Sequence, residues 1–202
     1  RAFAASDYHG AIMLNVEDPT SITLIGRGDP ADNARAVLPF DNLLYVLDEF
    51  QGIHVEEQGT TGPIRLRTIP LARPLSGDIG GGFLAAACGE YGLHVFSLAN
   101  PERPRHMGRV PLKDARAAAF YRGRWIFVAS GMDGVAVIAL DDKGQPGLLD
   151  LWQPRPGYYA GDAVVDDPRL YVLFRGLGLA AIQAGTLLGP DITATPTMFF
   201  SY

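Results

Sequence analysis

The sequence predicts an all-β fold, a β-propeller of about five four-stranded antiparallel blades, from two observations. The first is a repeat of about 42 residues, in which a glycine closes five similar apolar segments. The second is a run of small residues before four of these segments. The five segments are RAFAASDYHG (1–10), LLYVLDEFQG (43–52), FLAAACGEYG (83–92), WIFVASGMDG (125–134) and RLYVLFRGLG (169–178). No sustained period of 3.6 residues indicates a helix.

Each repeat predicts four strands in a fixed order. The first strand is rich in small residues, and the second is the apolar strand that opens the ten-residue segment. The closing glycine is expected to supply a positive φ or a bulge before the third strand. A loop that contains proline then leads to the fourth strand. The third strands are AIMLNV, IHVEE, LHVFSL, VAVIAL and LAAIQ, and the fourth are SITLIG, IRLRTI, RHMGRV, GLLDLW and ITATPT.

Small residues in the first strands favour a propeller over a sandwich or a solenoid. The innermost strands of a propeller crowd around the axis, where small side chains fit the narrowing space. The predicted first strands are NARAV (33–37), SGDIG (76–80), DARAA (114–118) and AGDAV (160–164). We expect one domain over 1–202. Its repeat units are 1–29, 30–71, 72–112, 113–154 and 155–202.

The first repeat begins inside its second strand, so it lacks a first strand of its own. Two completions are open. Either the C-terminal MFFSY (198–202) fills the place, or the chain is part of a longer protein that supplies the strand.

Composition and charge exclude several classes of function. The formal net charge of −5 argues against a nucleic-acid partner, because phosphate binding needs a basic face. No apolar run reaches the length of a membrane-spanning helix, so we expect no membrane insertion. Cys88 is the only cysteine, which excludes an intrachain disulfide, a multi-cysteine zinc site and the attachment motif of c-type haem. We expect no cofactor.

The repeat resembles the LVIVD-repeat family of bacterial and archaeal β-propellers. The matching pattern is an aromatic-rich strand, an acidic or glycine turn, Gly-Leu/Ile-x-Val and then Asn/Asp-Pro before a fourth strand. It is clearest in 83–110 and 43–69, and repeat one has the NVEDP form. Repeats four and five depart from it, with DDKGQP and AGTLLGP in place of Asn/Asp-Pro. The resemblance implies the fold and a periplasmic or extracellular, cell-surface setting, and it implies no activity.

One pattern of charges falls at a matched position of the predicted inner strands. The residues are Arg35, Asp78, Arg116 and Asp162. Charges of alternating sign beside a narrow axial channel would pair strongly. A structural ring of ion pairs is the favoured interpretation. The alternative is a channel mouth that binds a small anion, a metal or a carboxylate.

Several histidine, cysteine and glycine residues could suggest a metal site, a nucleophile or a phosphate-binding loop. All of them are interpreted as structural. His54 and His94 are matched in the repeat, but neighbouring sheets are about 10 Å apart, too far for one shared metal. His9 and His106 stand alone in the sequence. Cys88 falls in an apolar strand and is expected to be a buried, inert thiol. Gly80–Gly82 leads into a strand and lacks the lysine of a phosphate-binding loop.

Large side chains before the repeat glycines predict a surface for a partner. Those in the turns are Tyr8, Phe50, Tyr91 and Met132, and Tyr158 and Tyr159 are expected in a loop that emerges on the same face or at the rim.

The sequence therefore favours a non-catalytic protein-interaction or scaffold module, whose partner is another protein or a completing segment of the same protein. No Gly-x-Ser-x-Gly motif or other catalytic set is present. A ligand-binding or hydrolytic enzyme with its site at the axial mouth is the alternative. Electron transfer would need a partner that carries the cofactor.

Overall fold

A computed structural model describes residues 1–188 of the chain. These residues form five antiparallel sheets, and within each sheet the strands follow one another in chain order. In the first two sheets the strands are β1 (Ala2–Ala5), β2 (Ala11–Asn15), β3 (Thr23–Arg27), β4 (Ala34–Phe40), β5 (Leu43–Asp48), β6 (Gly52–Gln58) and β7 (Pro63–Ile69).

The third and fourth sheets have four strands each, and the fifth has three described strands. The third holds β8 (Ser76–Gly80), β9 (Phe83–Ala87), β10 (Leu93–Ser97) and β11 (Arg105–Val110). The fourth holds β12 (Ala117–Tyr121), β13 (Trp125–Ala129), β14 (Val135–Leu140) and β15 (Pro146–Trp152). The fifth holds β16 (Tyr159–Asp166), β17 (Arg169–Arg175) and β18 (Gly178–Gln183), followed by a 3-10 turn, Ala184–Leu187.

The predicted strands that fall among the described residues are confirmed, except that DARAA (114–118) is displaced, since β12 begins at Ala117 and Asp114 and Arg116 precede it. The all-β prediction is therefore correct. The first sheet has three strands, as its missing first strand required. The predicted strand ITATPT and the segment MFFSY lie outside the described residues. Within 1–188 no helix has the length and apolar character needed to cross a membrane.

The repeat is also visible in the backbone geometry. In four sheets the register between the third and fourth strands shifts once, after the third residue beyond the repeat glycine. The shifts follow Met13, Val55, Val95 and Val137. A β-bulge at one fixed position bends each outer strand in the same way. The sequence period therefore corresponds to one structural unit.

Two separate structural features require glycine at the repeat turns. All five have positive φ, between 67° and 113°. In addition, a Cβ on Gly52 would lie 2.2 Å from the carbonyl oxygen of Ile69, and a Cβ on Gly92 would lie 2.2 Å from that of Val110. The turn thus passes close against the end of the fourth strand, where only a residue without a side chain fits.

The described chain contains two compact units. The first comprises Arg1–Ser76 with Pro101–Arg103, and the second comprises Gly77–Asn100 and the chain from Pro104 on. In the first, Ala11, Ala34 and Leu44 are among the residues that form a core from the first two sheets. In the second, separate apolar clusters join the third sheet to the fourth and the fourth to the fifth. Each unit is therefore built by packing neighbouring sheets face to face.

Candidate functional site

An open cleft of about 220 Å³ lies in the second unit, beside the turn that joins β13 to β14. Its lining residues are Lys113, Asp114, Ser130, Met132 and Asp133. Lys113 and Asp114 belong to the segment that leads into β12, and the other three belong to the turn. The cleft therefore lies where the chain enters the inner strand of the fourth sheet.

The turn is fixed by its own hydrogen bonds and by the next sheet. The Ser130 N–H donates to the Gly134 carbonyl at 2.7 Å, and the Asp133 N–H donates to the Ser130 carbonyl at 3.0 Å. Gly131 has φ +55° and exchanges two backbone hydrogen bonds with Ala160 of β16. These bonds hold the wall of the cleft in one position.

Ser130 is the buried polar group of this cleft. Its side chain is almost fully enclosed, at 1% exposure. Its hydroxyl has no hydrogen-bond partner among the described residues. Buried hydroxyl groups normally have a partner, because losing hydration without compensation costs free energy. The cleft therefore contains an unused donor and acceptor.

The charges around the cleft are balanced in pairs. The Asp114 carboxylate accepts a hydrogen bond of 2.6 Å from the Tyr159 hydroxyl and lies 3.4 Å from the Arg116 guanidinium. The Lys113 ammonium lies 3.4 Å from the Asp133 carboxylate. Burial, together with the hydrogen bond to Asp114, raises the pKa of Tyr159 above its ordinary value. Each charged side chain that lines the cleft thus has a partner of opposite charge.

The predicted pairing among the inner-strand charges is wrong within the second unit. Arg116 pairs with Asp114, two residues away, rather than with Asp78 or Asp162. Asp78 instead accepts hydrogen bonds from the backbone N–H groups of Ile79 and Phe120. Asp162 accepts one from the N–H of Ala163.

In the first unit, Arg35 lies 3.9 Å from the Glu49 carboxylate. The two arginines therefore pair with carboxylates outside the predicted ring, and the two aspartates accept hydrogen bonds from backbone N–H groups. Whether all four side chains border one channel stays a prediction.

The large side chains at the turns are exposed. The exposed fraction is 75% for Tyr8, 70% for Phe50, 43% for Tyr91 and 56% for Met132. Met132 also lines the cleft. These aromatic and thioether side chains reach into solvent in the turns of four repeats, two residues before the repeat glycine for Tyr8, Phe50 and Met132 and one residue before it for Tyr91. They are available for contact with a partner.

Tyr158 and Tyr159 have different surroundings from those expected. Tyr159 is the first residue of β16 rather than part of a loop, and its hydroxyl donates to Asp114, which lines the cleft. The Arg175 guanidinium lies 4.8 Å from its ring centroid. Tyr158 is half-buried and packs against the core between the fourth and fifth sheets.

A buried polar cluster in the first unit has no counterpart in the sequence predictions. Asp48, His54 and Glu56 are fully buried in the second sheet. The Asp48 carboxylate accepts four backbone hydrogen bonds of 2.7–3.0 Å. His54 lies between Asp48, 3.6 Å from its Nε2, and the Thr68 hydroxyl, 2.9 Å from its Nδ1. Since backbone donors occupy both Asp48 oxygens, the cluster holds the turn of this sheet together.

The protonation states in this cluster follow from burial. Burial raises the pKa of Asp48, but four backbone donors outweigh it and bring that pKa below its ordinary value. Burial and the nearby Arg65 guanidinium lower the pKa of His54, despite the attraction of Asp48. Burial raises the pKa of Glu56 to about 7, although Arg65 lies 3.5 Å away. At neutral pH Asp48 is thus ionised and His54 is neutral.

His106 does not stand alone, contrary to the sequence interpretation. Its Nε2 lies 3.1 Å from Nδ1 of His94 on the neighbouring strand. Burial, His106 and Arg109 lower the pKa of His94. The expected burial of Cys88 is confirmed, and burial raises the pKa of its thiol to about 12. Such a thiol is a poor nucleophile.

The fold resembles solved structures of low sequence identity. A chain in the crystal structure of a nidogen/laminin complex matches with a TM-score of 0.65 and 12% identity, over 95% of this chain and 72% of that one. This chain has a β-propeller-like all-β fold. A computationally designed protein, Ika8, matches with a TM-score of 0.64 and 10% identity, over 90% of this chain and 55% of the design. No protein-family model matches the sequence. No curated protein matches it either.

Proposed function

We propose that this protein is a non-catalytic interaction module, a five-bladed propeller whose repeat turns bind a protein partner in the periplasm or at the cell surface. The observation that carries the proposal is the exposure of Tyr8, Phe50, Tyr91 and Met132 in the turns before four of the five repeat glycines. Aromatic residues and methionine are enriched at protein interfaces, where they provide large contact areas.

The closed five-bladed ring is part of the same proposal. Five sheets follow one another in the described residues, and each turn precedes a glycine with positive φ. In a closed propeller, equivalent turns emerge on one face. The four side chains would then form a single contact surface. The resemblance to LVIVD-repeat propellers supports the fold and the extracytoplasmic setting of the proposal.

Two further observations support binding rather than catalysis. The buried Asp48 carboxylate in the first unit accepts four backbone hydrogen bonds, as a structural carboxylate would. The structural neighbour from the nidogen/laminin complex belongs to an assembly of proteins, so a similar fold occurs in a protein complex.

The test is affinity purification from the native host with two sets of variants. The first set changes Tyr8, Phe50, Tyr91 and Met132 to serine. The matched control changes Ile22, Ile64, Leu148 and Leu149 to serine, four equally exposed apolar residues outside the turns. A stoichiometric partner should be retained by the wild type and the control set and lost by the turn set. Equal loss in both sets, or no stoichiometric partner in any sample, would contradict the proposal.

A further inference from the structure

The cleft at Ser130 and the buried cluster at Asp48 occupy the same place in two repeats. Both residues lie four positions before the repeat glycine, Gly134 in one case and Gly52 in the other. The strands that face them also match in register, with Ala117 opposite Ala129 and Ala36 opposite Leu47.

In the second sheet this place is filled by a carboxylate. One Asp48 oxygen accepts hydrogen bonds of 2.7 and 3.0 Å from the N–H groups of Asp32 and Asn33. The other accepts those of Phe50 and Gln51, both at 2.8 Å. Two backbone segments, the lead-in to the inner strand and the repeat turn, are thus joined through a single carboxylate.

In the fourth sheet the equivalent residue is Ser130, which has no carboxylate. The backbone positions that correspond to Asp32 and Asn33 are Lys113 and Asp114, which line the cleft. Their N–H groups have no acceptor among the described residues. Serine has one oxygen on a shorter side chain, and that oxygen is itself buried without a partner. The cleft of about 220 Å³ remains where Asp48 is in the other sheet.

We propose that the cleft at Ser130 is a binding site for a carboxylate group from outside the chain. The carboxylate takes the position of the Asp48 side chain, and it accepts hydrogen bonds from the N–H groups of Lys113 and Asp114 and from the Ser130 hydroxyl. Hydrogen bonds to an ionised acceptor are stronger than neutral ones. The volume holds several water molecules, so it admits a small carboxylate.

The charged residues at the cleft are compatible with an anion. Asp114 is engaged by Tyr159 and Arg116, and Asp133 is engaged by Lys113. Free small carboxylates and the C-terminal carboxyl group of a peptide share the required chemistry. This inference does not require the proposed partner surface, because Met132, which belongs to both, supplies none of the proposed hydrogen bonds to the carboxylate.

The experiment is an NMR titration of the amide resonances of Lys113, Asp114 and Ser130 with sodium acetate, compared with sodium chloride at equal ionic strength. Saturable shifts with acetate alone are expected. Ser130→Asp supplies an internal carboxylate and should abolish these shifts while raising the melting temperature. Ser130→Ala keeps the cleft and should weaken acetate binding about tenfold, through loss of one hydrogen bond. Ser21→Asp adds the same charge at an exposed loop and should change neither property.

The source of the carboxylate is distinguished by N-acetyl-diglycine with a free C-terminus and by its C-terminal amide. Binding of the acid but not of the amide supports the site, and an affinity well above that of acetate assigns it to peptide termini. Equal affinities for the acid and for acetate assign it to small carboxylates. Equal shifts with chloride, unchanged acetate binding in Ser130→Ala, or no saturable shift would overturn the inference.

Discussion

The carboxylate of Asp78 accepts a hydrogen bond of 2.7 Å from the backbone N–H of Phe120, which joins the first strands of two neighbouring sheets in the second unit. A second hydrogen bond comes from the N–H of Ile79. Burial raises the pKa of Asp78 above its ordinary value, while these two donors act in the opposite direction. The side chain that the sequence placed in a ring of charges is therefore a link between strands.

Replacing Asp78 by alanine should reduce the free energy of unfolding by about 1–3 kcal/mol, because the buried Phe120 N–H loses its acceptor. Asp78→Asn retains an acceptor oxygen and should cost less. Asp162→Ala is the matched control, since Asp162 is exposed and, within residues 1–188, its carboxylate accepts a hydrogen bond only from the N–H of Ala163. Urea unfolding of the three variants measures the differences. Equal losses for Asp78→Ala and Asp162→Ala would show that the link contributes nothing.

Gly92→Ala should destabilise the protein by at least about 1–3 kcal/mol. Its φ of +80° strains any residue with a side chain, and the new Cβ would collide with the Val110 carbonyl. Gly147→Ala is the control, because a Cβ there meets no atom within 4 Å. Thermal unfolding should separate the two variants clearly. A Gly92→Ala protein as stable as Gly147→Ala would refute the structural role of the repeat glycine.

Glu56 should make stability depend on pH above its ordinary titration range. The pKa of Glu56 is about 7 in the folded protein, above its ordinary value of 4.5. The protonated side chain therefore contributes fully to the free energy of unfolding at low pH, and this contribution is lost as the pH rises through 7. Glu56→Gln should therefore gain stability relative to the wild type between pH 5 and pH 8, on the order of 2 kcal/mol.

The measurement is the urea midpoint of both proteins at each pH. His54 has the opposite dependence, because its lowered pKa removes stability as the pH falls below about 6.5, and it is present in both proteins. The difference between the two curves therefore isolates Glu56. Glu57→Gln, at an exposed neighbour, should give no such divergence, and a pH-independent difference for Glu56→Gln would disprove the assignment.

Arg116→Ala should cost only about 0–1 kcal/mol, since its pair with Asp114 is partly exposed. The charge exchange Asp78→Arg with Arg116→Asp should not recover any loss, because these two side chains do not pair. Melting temperatures of the single and double variants decide the question. Recovery in the double variant would restore the predicted ring of ion pairs.

The sequence was sufficient to predict the strands, because the repeat presents the same pattern five times and averages out local irregularities. The same averaging explains why the turn glycines were predicted with positive φ. Asp48 and Glu56 were missed because they interrupt otherwise apolar segments, and a sequence does not show which backbone donors will surround a carboxylate. Ser130 aligned with Asp48 from the start, but the alignment acquires meaning only through the hydrogen bonds of Asp48.

The misplaced contacts have two different physical causes. The bulge after Val95 shifts the register of β11, so that His106 lies opposite Phe96 and reaches His94. The amino-acid sequence of a strand does not show where a bulge will form. Arg116 found its carboxylate two residues away in Asp114, which the matched-position argument did not consider.

Photo-cross-linking in the native host tests the proposed interaction surface most directly. A photoreactive phenylalanine analogue is placed at Phe50 or Met132 in the turns, and at Ile64 or Leu149 on outer strands as the control. One protein should be cross-linked at both turn positions and at neither control position. Cross-links of equal yield at all four positions, or none at the turns, would contradict it.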